Sequence, residues 1–129
     1  MTKPLLGVHL CLLEDSADEG ELLKLSLERR GACVTWVQTV RDAKAQLEST
    51  AFDALISDLT LPDGGGLSVA RDLASARPQL TLIALSGHAS QSAVAASREA
   101  GFAAHFGKPV DLAALVAWIV ERISARPRS

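Results

Sequence analysis

Five short apolar runs, each followed by a longer segment of helical spacing, constrain this chain more than any other feature of its sequence. The runs are Val8–Leu13, Ala32–Val37, Asp53–Ser57, Leu80–Leu85 and Phe102–Phe106. The segments between and after them are Ser16–Arg30, Val40–Ser49, Leu67–Arg77, Ser90–Ala100 and Leu112–Ser124. Strict alternation of this kind predicts parallel strands joined by right-handed helical crossovers, with helices on both faces of one sheet. The runs are continuously apolar rather than alternating, as strands buried on both faces must be. The fold class is therefore α/β, a single doubly wound (βα)5 parallel sheet.

Local signals punctuate the alternation. Ser16 stands at an N-cap position with Glu19 three residues on, a capping-box pattern, and Gly31 supplies the stop. Leu22, Leu23, Leu25 and Leu27 recur among the charges of that first helix at mixed helical spacing. Thr39 caps the second helix, whose Val40, Ala43 and Leu47 share a face. Leu59–Gly66 reads as a loop because of its proline and three successive glycines. Pro78 disfavours a helical predecessor and ends the third helix. Gly101 ends the fourth, Pro109 breaks the fifth strand, and Asp111 caps the last helix. There Leu112, Leu115, Val116, Ile119 and Val120 are expected to face inward. Residues 1–125 make one domain, and 126–129 are expected to fray as a C-terminal tail.

At 129 residues the chain is long enough for one ordinary domain. An apolar fraction of 48% and a charged fraction of 22% are those of a soluble globular protein. A net charge of −2 offers no basic field for nucleic acid and no polybasic signal for a membrane surface. No apolar stretch approaches the ~18 residues that span a bilayer. The N-terminus lacks the h-region and cleavage site of a signal peptide, so a cytoplasmic location is expected. Cys11 and Cys33 both lie in apolar runs. They read as two buried thiols in a reducing compartment, with a disulfide as the alternative.

In a doubly wound sheet, ligands bind beyond the carboxyl ends of the strands. The polar residues expected there are Glu14 and Asp15 after the first strand, Asp58 after the third, Ser86 after the fourth, and Lys108-Pro109 after the fifth. No Gly-rich fingerprint follows the first strand, and the acids in its place would repel a phosphate, against both a dinucleotide fold and a P-loop. Three converging carboxylates raise one another's pKa unless a cation neutralises them. A hard divalent ion does so, and Mg²⁺ (or Mn²⁺) suits a site with few protein ligands and several waters. Beside such an ion an aspartate is a plausible nucleophile toward a phosphoryl group, with Lys108 and the metal stabilising the transferring oxygens and Ser86 donating to one of them.

The segments Glu14-Asp15, Asp58, Leu61-Pro62-Asp63-Gly64-Gly65-Gly66, Ser86-Gly87-His88, and Gly101-Phe102 on to Lys108-Pro109 carry a resemblance to response-regulator receiver domains over nearly the whole chain. The resemblance implies a flavodoxin/CheY-like sheet of strand order 2-1-3-4-5. It makes Asp58 the phosphoacceptor, with Glu14, Asp15, Asp58 and the backbone carbonyl of Thr60 holding the metal. It makes Ser86 the switch hydroxyl and Lys108 its partner at the phosphoryl group. Pro62 and Gly66 match the turn after the acceptor, and Pro109 matches a proline whose bond to Lys108 is often cis. The implied donor is a histidine kinase or histidine phosphotransfer protein. The implied output is a changed partner affinity on the surface of the fourth helix, fifth strand and fifth helix, a population shift between two states. No nucleic-acid contact and no membrane insertion are expected.

This sequence departs from the family pattern at His105, where an aromatic switch residue is usual. His105 reads either as a strand-end residue half in solvent or as a ring that moves as Ser86 moves, and in the second reading a histidine makes the switch pH-sensitive. The segment from Gly101 to Asp111 resembles receivers of hybrid histidine kinases more than those of transcription factors. Thr60 and His88 occupy positions that modulate hydrolysis in the family, and also read as ordinary loop residues. His9 reads as a satisfied or edge histidine, Trp36 and Trp118 as packing aromatics, and Asp53 and Asp63 as loop or strand-start residues. Ala93–Ala100 reads as a weak helix or as the pliable element that answers the switch. The rival functions are a pseudo-receiver that binds partners without phosphorylation, a flavin mononucleotide binder on the same architecture, and a phosphatase with an Asp-x-Asp nucleophile. The intact constellation argues against the first, the acids after the first strand against the second, and the run Glu14-Asp15-Ser16, which does not fit Asp-x-Asp, against the third.

Overall fold

A computed structural model describes residues 3–59, 70–73, 76–77, 79–87 and 91–124. The strands are β1 (His9–Leu13), β2 (Cys33–Val37), β3 (Ala54–Asp58), β4 (Thr81–Ser86) and β5 (Ala104–Gly107). The helices are α1 (Ala17–Glu28), α2 (Val40–Ser49), a stretch over residues 70–73 that we label α3, α4 (Gln91–Ala100) and α5 (Leu112–Ser124). All neighbouring strands pair in parallel, in the order β2-β1-β3-β4-β5.

The period of two along each strand divides the core into two layers. Leu10 and Leu12 of β1 point to one face, where they join Leu23 and Leu27 of α1 and Leu115, Val116 and Ile119 of α5. Cys11 and Leu13 point to the other face and meet Val40, Ala43 and Leu47 of α2, Ala70 and Leu73 of α3, and Ala100 of α4. Each of the fully buried leucines contributes roughly 1.5–3 kcal/mol of transfer free energy, so the central strands are anchored on both sides. Caps then fix where the helices begin. Ser16 Oγ accepts from Glu19 N–H, Thr39 Oγ1 from Asp42 N–H, and Asp111 Oδ1 from Ala114 N–H. Gly31 turns the chain from α1 toward β2 at φ +102°, where a Cβ would press on the Leu6 backbone.

Several expectations are corrected in detail. Asp58 is the last residue of β3 rather than a residue beyond it, because its backbone still pairs with Leu85. Strand β5 begins at Ala104 rather than Phe102. The mixed spacing of the α1 leucines resolves into two sides: Leu23 and Leu27 turn inward, and Leu22 and Leu25 are exposed. Leu112 and Val120 are only partly buried, at the edge of the layer that Leu115, Val116 and Ile119 fill. Cys33 is exposed at the start of the edge strand β2 while Cys11 is buried, and both are free thiols. The capping box is half formed: Glu14, not Glu19, accepts from Ser16 N–H at 3.2 Å. The Glu19 carboxylate is drawn instead to a lysine across the end of the sheet.

Candidate functional site

The chain runs from β1 outward to β2, then crosses back over β1 to β3. The connections leaving β1 and β3 therefore diverge, which opens a crevice at the carboxyl ends of those two strands. Leu13 pairs with Ser57, so Glu14 and Asp58 lie side by side one position further on, with Asp15 next to them. One carboxylate oxygen from each of Glu14, Asp15 and Asp58 falls within 4.8 Å of the other two. Glu14 and Asp58 are each only 2% exposed, whereas Asp15 is open to solvent.

Lys108 enters the crevice from the far edge of the sheet. Its backbone N–H donates to the Ser86 carbonyl at 2.8 Å, which holds the end of β5 against β4. The peptide bond that follows it, to Pro109, is cis. Its Nζ donates to Glu14 Oε1 at 2.7 Å, to Asp58 Oδ2 at 3.2 Å and to Glu19 Oε2 at 3.2 Å. One ammonium thus faces three carboxylates.

Burial raises the Glu14 carboxyl to about 7, with the neighbouring Asp58 adding to the rise and Lys108 opposing it. Burial works against the Lys108 ammonium, but its hydrogen bonds to Glu14 and Asp58 outweigh that and raise its pKa. The excess of carboxylates over ammonium, with three oxygens converging, is the donor set of a small hard cation. Glu14, Asp15 and Asp58 are the described residues that fit such an ion.

Ser86 and His105 lie beside the acids on β4 and β5. The Ser86 hydroxyl and His105 Nε2 are 2.9 Å apart, and the other ring nitrogen, Nδ1, is 3.1 Å from the Ser97 hydroxyl of α4. His105 is half-buried between two helix-and-strand hydroxyls. Burial lowers its pKa.

The fold brings Glu14, Asp15, Asp58, Ser86, Lys108 and His105 to one end of the sheet. Thr60, Pro62, Asp63, Gly66 and His88 lie outside the described residues, as do positions 125–129. Sequence reasoning missed three neighbours of the site. Glu19 was a helix cap there and is an ion-pair partner here. Ser97 was one small residue among many. Trp36, a packing aromatic, donates from Nε1 to the Glu14 carbonyl at 2.9 Å, and packs so closely over Gly20 of α1 that no side chain fits between them. The only signal for the last pair was an unexplained glycine inside a helical pattern. His9 meets Asp53 through its backbone N–H, at 2.8 Å, away from the site.

The sequence and the fold are similar to those of known proteins. A sequence model described as a response regulator receiver domain matches residues 10–120. The swarming motility regulation protein RssB of Serratia marcescens is 31% identical over 109 residues, which cover 84% of this chain and 50% of RssB. The chain thus spans about half the length of that relative. An uncharacterized 14.6 kDa protein of Leptolyngbya boryana is 29% identical over 123 residues, 93% of each chain. Among solved structures, the non-phosphorylated HemR receiver domain of Leptospira biflexa superposes with a TM-score of 0.81 at 30% identity, covering 95% of this chain and 98% of that one.

Proposed function

The chain belongs to the response-regulator receiver family of two-component signalling, and on that premise we propose that it works by accepting a phosphoryl group on Asp58. The observation that carries this reading is a buried carboxylate with a lysine ammonium 3.2 Å from its Oδ2 and two further acids within 4.8 Å. Asp58 Oδ attacks the phosphorus of a phosphohistidine. The P–N bond breaks, its electron pair stays on the ring nitrogen, and that nitrogen takes up a proton. Lys108 pairs with a phosphoryl oxygen, and Ser86 donates a hydrogen bond to another. Glu14, Asp15, Asp58 and the Thr60 carbonyl would hold Mg²⁺ (or Mn²⁺), which supplies charge neutralisation for the transferring oxygens.

The donor is a histidine kinase or a histidine phosphotransfer protein in the cytoplasm, and residues 1–125 act as the receiver unit. Engagement of Ser86 repositions His105 and changes the affinity of the surface formed by α4, β5 and α5 for an effector. Thr60 and His88 set the rate of hydrolysis. An origin beside a hybrid histidine kinase is supported by the resemblance of residues 101–111 alone, and the matched regulators add nothing to it.

Borohydride reduction after incubation with acetyl phosphate and Mg²⁺ tests the assignment, because it converts an aspartyl phosphate to homoserine. Peptide sequencing by mass spectrometry should find homoserine at position 58. Modification at another position, or at none, would favour a pseudo-receiver that binds its partners constitutively.

A further inference from the structure

Ser97 is fully buried on α4, and its hydroxyl makes two hydrogen bonds at once. One runs to the Val94 carbonyl at 2.8 Å, the other to His105 Nδ1 at 3.1 Å. A hydroxyl carries a single proton, and a carbonyl can only accept it. The Ser97 proton is therefore committed to Val94, and the contact with His105 must have Nδ1–H as its donor. A neutral imidazole protonated at Nδ1 presents a lone pair at Nε2. The group facing that lone pair, 2.9 Å away, is the Ser86 hydroxyl, which is then the donor. The chain of bonds has one direction: Ser86 O–H to His105 Nε2, His105 Nδ1–H to Ser97 Oγ, Ser97 O–H to the Val94 carbonyl. Burial keeps the ring in its neutral form, consistent with that direction.

We propose that Ser97 is a positioning residue that sets the tautomer of His105, so that His105 competes with the phosphoryl group for the single proton of the Ser86 hydroxyl. The proposal rests on the reading of Asp58 as acceptor and Ser86 as the hydroxyl that engages the phosphoryl group. It assigns the resting state a specific restraint: Ser86 cannot donate to a phosphoryl oxygen without giving up Nε2. It also couples α4 to the site through a side chain, so that release of Ser86 leaves the His105–Ser97 bond free to rearrange.

Two measurements on the full chain test this. Long-range hydrogen–nitrogen NMR spectra distinguish pyrrole-like from pyridine-like ring nitrogens, with His105→Phe identifying the signals of His105. Wild-type His105 should be pyrrole-like at Nδ1 and pyridine-like at Nε2, and Ser97→Ala should reverse the two. Reversal turns Ser86 into an acceptor toward the ring and frees its proton. Beryllofluoride with Mg²⁺, a mimic of the aspartyl phosphate, should then bind Ser97→Ala about fivefold more tightly, the scale of one neutral hydrogen bond. In a His105→Phe background, Ser97→Ala should leave that affinity unchanged, a result that a merely structural effect of the substitution would not give. A wild-type ring protonated at Nε2, or equal beryllofluoride affinities with and without Ser97, would overturn the proposal. Absence of any beryllofluoride complex on the wild type would instead overturn the acceptor reading beneath it.

Discussion

The ammonium of Lys108 stands closer to Glu14, at 2.7 Å, than to Asp58, at 3.2 Å. Two carboxylates that are almost fully buried thus share one positive charge. Removing one partner of a buried ion pair leaves the other charge uncompensated, which costs more than the pair contributes. Lys108→Met should lower stability by about 3 kcal/mol in the absence of divalent cations. Urea denaturation measures this, and added Mg²⁺ should narrow the deficit by supplying the missing positive charge. An unchanged midpoint would mean that Lys108 does not neutralise the acids.

The same burial makes stability depend on pH through Glu14. Its carboxyl titrates at about 7 in the folded chain, against an ordinary value of 4.5. Between those values the folded chain holds a proton that the unfolded chain has lost, so raising the pH favours unfolding. The contribution is fully present below pH 4.5 and is lost as the pH rises through about 7, amounting to about 3 kcal/mol at most. Stability curves without divalent metal should show this decline in the wild type and its absence in Glu14→Gln. Parallel curves for the two proteins would contradict the assignment.

Gly20 faces the Trp36 indole, and an added Cβ would overlap the ring. Alanine is the better helix former by roughly 1 kcal/mol, yet Gly20→Ala should destabilise the chain. Overpacking of this kind costs roughly 1–3 kcal/mol, and displacing Trp36 also breaks its bond to the Glu14 carbonyl. Thermal unfolding read by tryptophan fluorescence should give a lower midpoint. A higher one would show that the ring moves aside at no cost.

The two thiols should differ in reactivity. Cys33 is exposed, whereas Cys11 lies in the core beneath α2 with its thiol pushed up to about 12 by burial. The thiolate is the reactive form, so Ellman's reagent should titrate Cys33 quickly in the native chain and Cys11 only on unfolding. Two equally fast thiols would place Cys11 outside the core.

The architecture was legible because the described strands are short apolar runs and the described helices longer segments of helical spacing. Glu14, Asp15, Asp58 and Lys108 stood out because charged residues at the ends of such runs mark where strands leave the apolar core, and the topology then carries those ends together. Details that depend on a partner distant in sequence were not legible. Glu19 fits a capping box by local spacing, but the ammonium of Lys108, 89 residues away, is the stronger attraction for its carboxylate. Ser97 looks like any small residue of α4 until His105 is placed against it. Asp58 was expected beyond β3 because it is charged, yet the ladder to β4 uses only its backbone and extends one residue further.

The central claim is that Asp58 accepts a phosphoryl group with the help of a divalent cation. The most direct test is the intact mass of the protein after incubation with acetyl phosphate, with and without Mg²⁺, beside Asp58→Ala. The account predicts one phosphoryl adduct per chain that requires Mg²⁺ and is lost in Asp58→Ala. No adduct on the wild type, or an adduct that persists in Asp58→Ala, would contradict it.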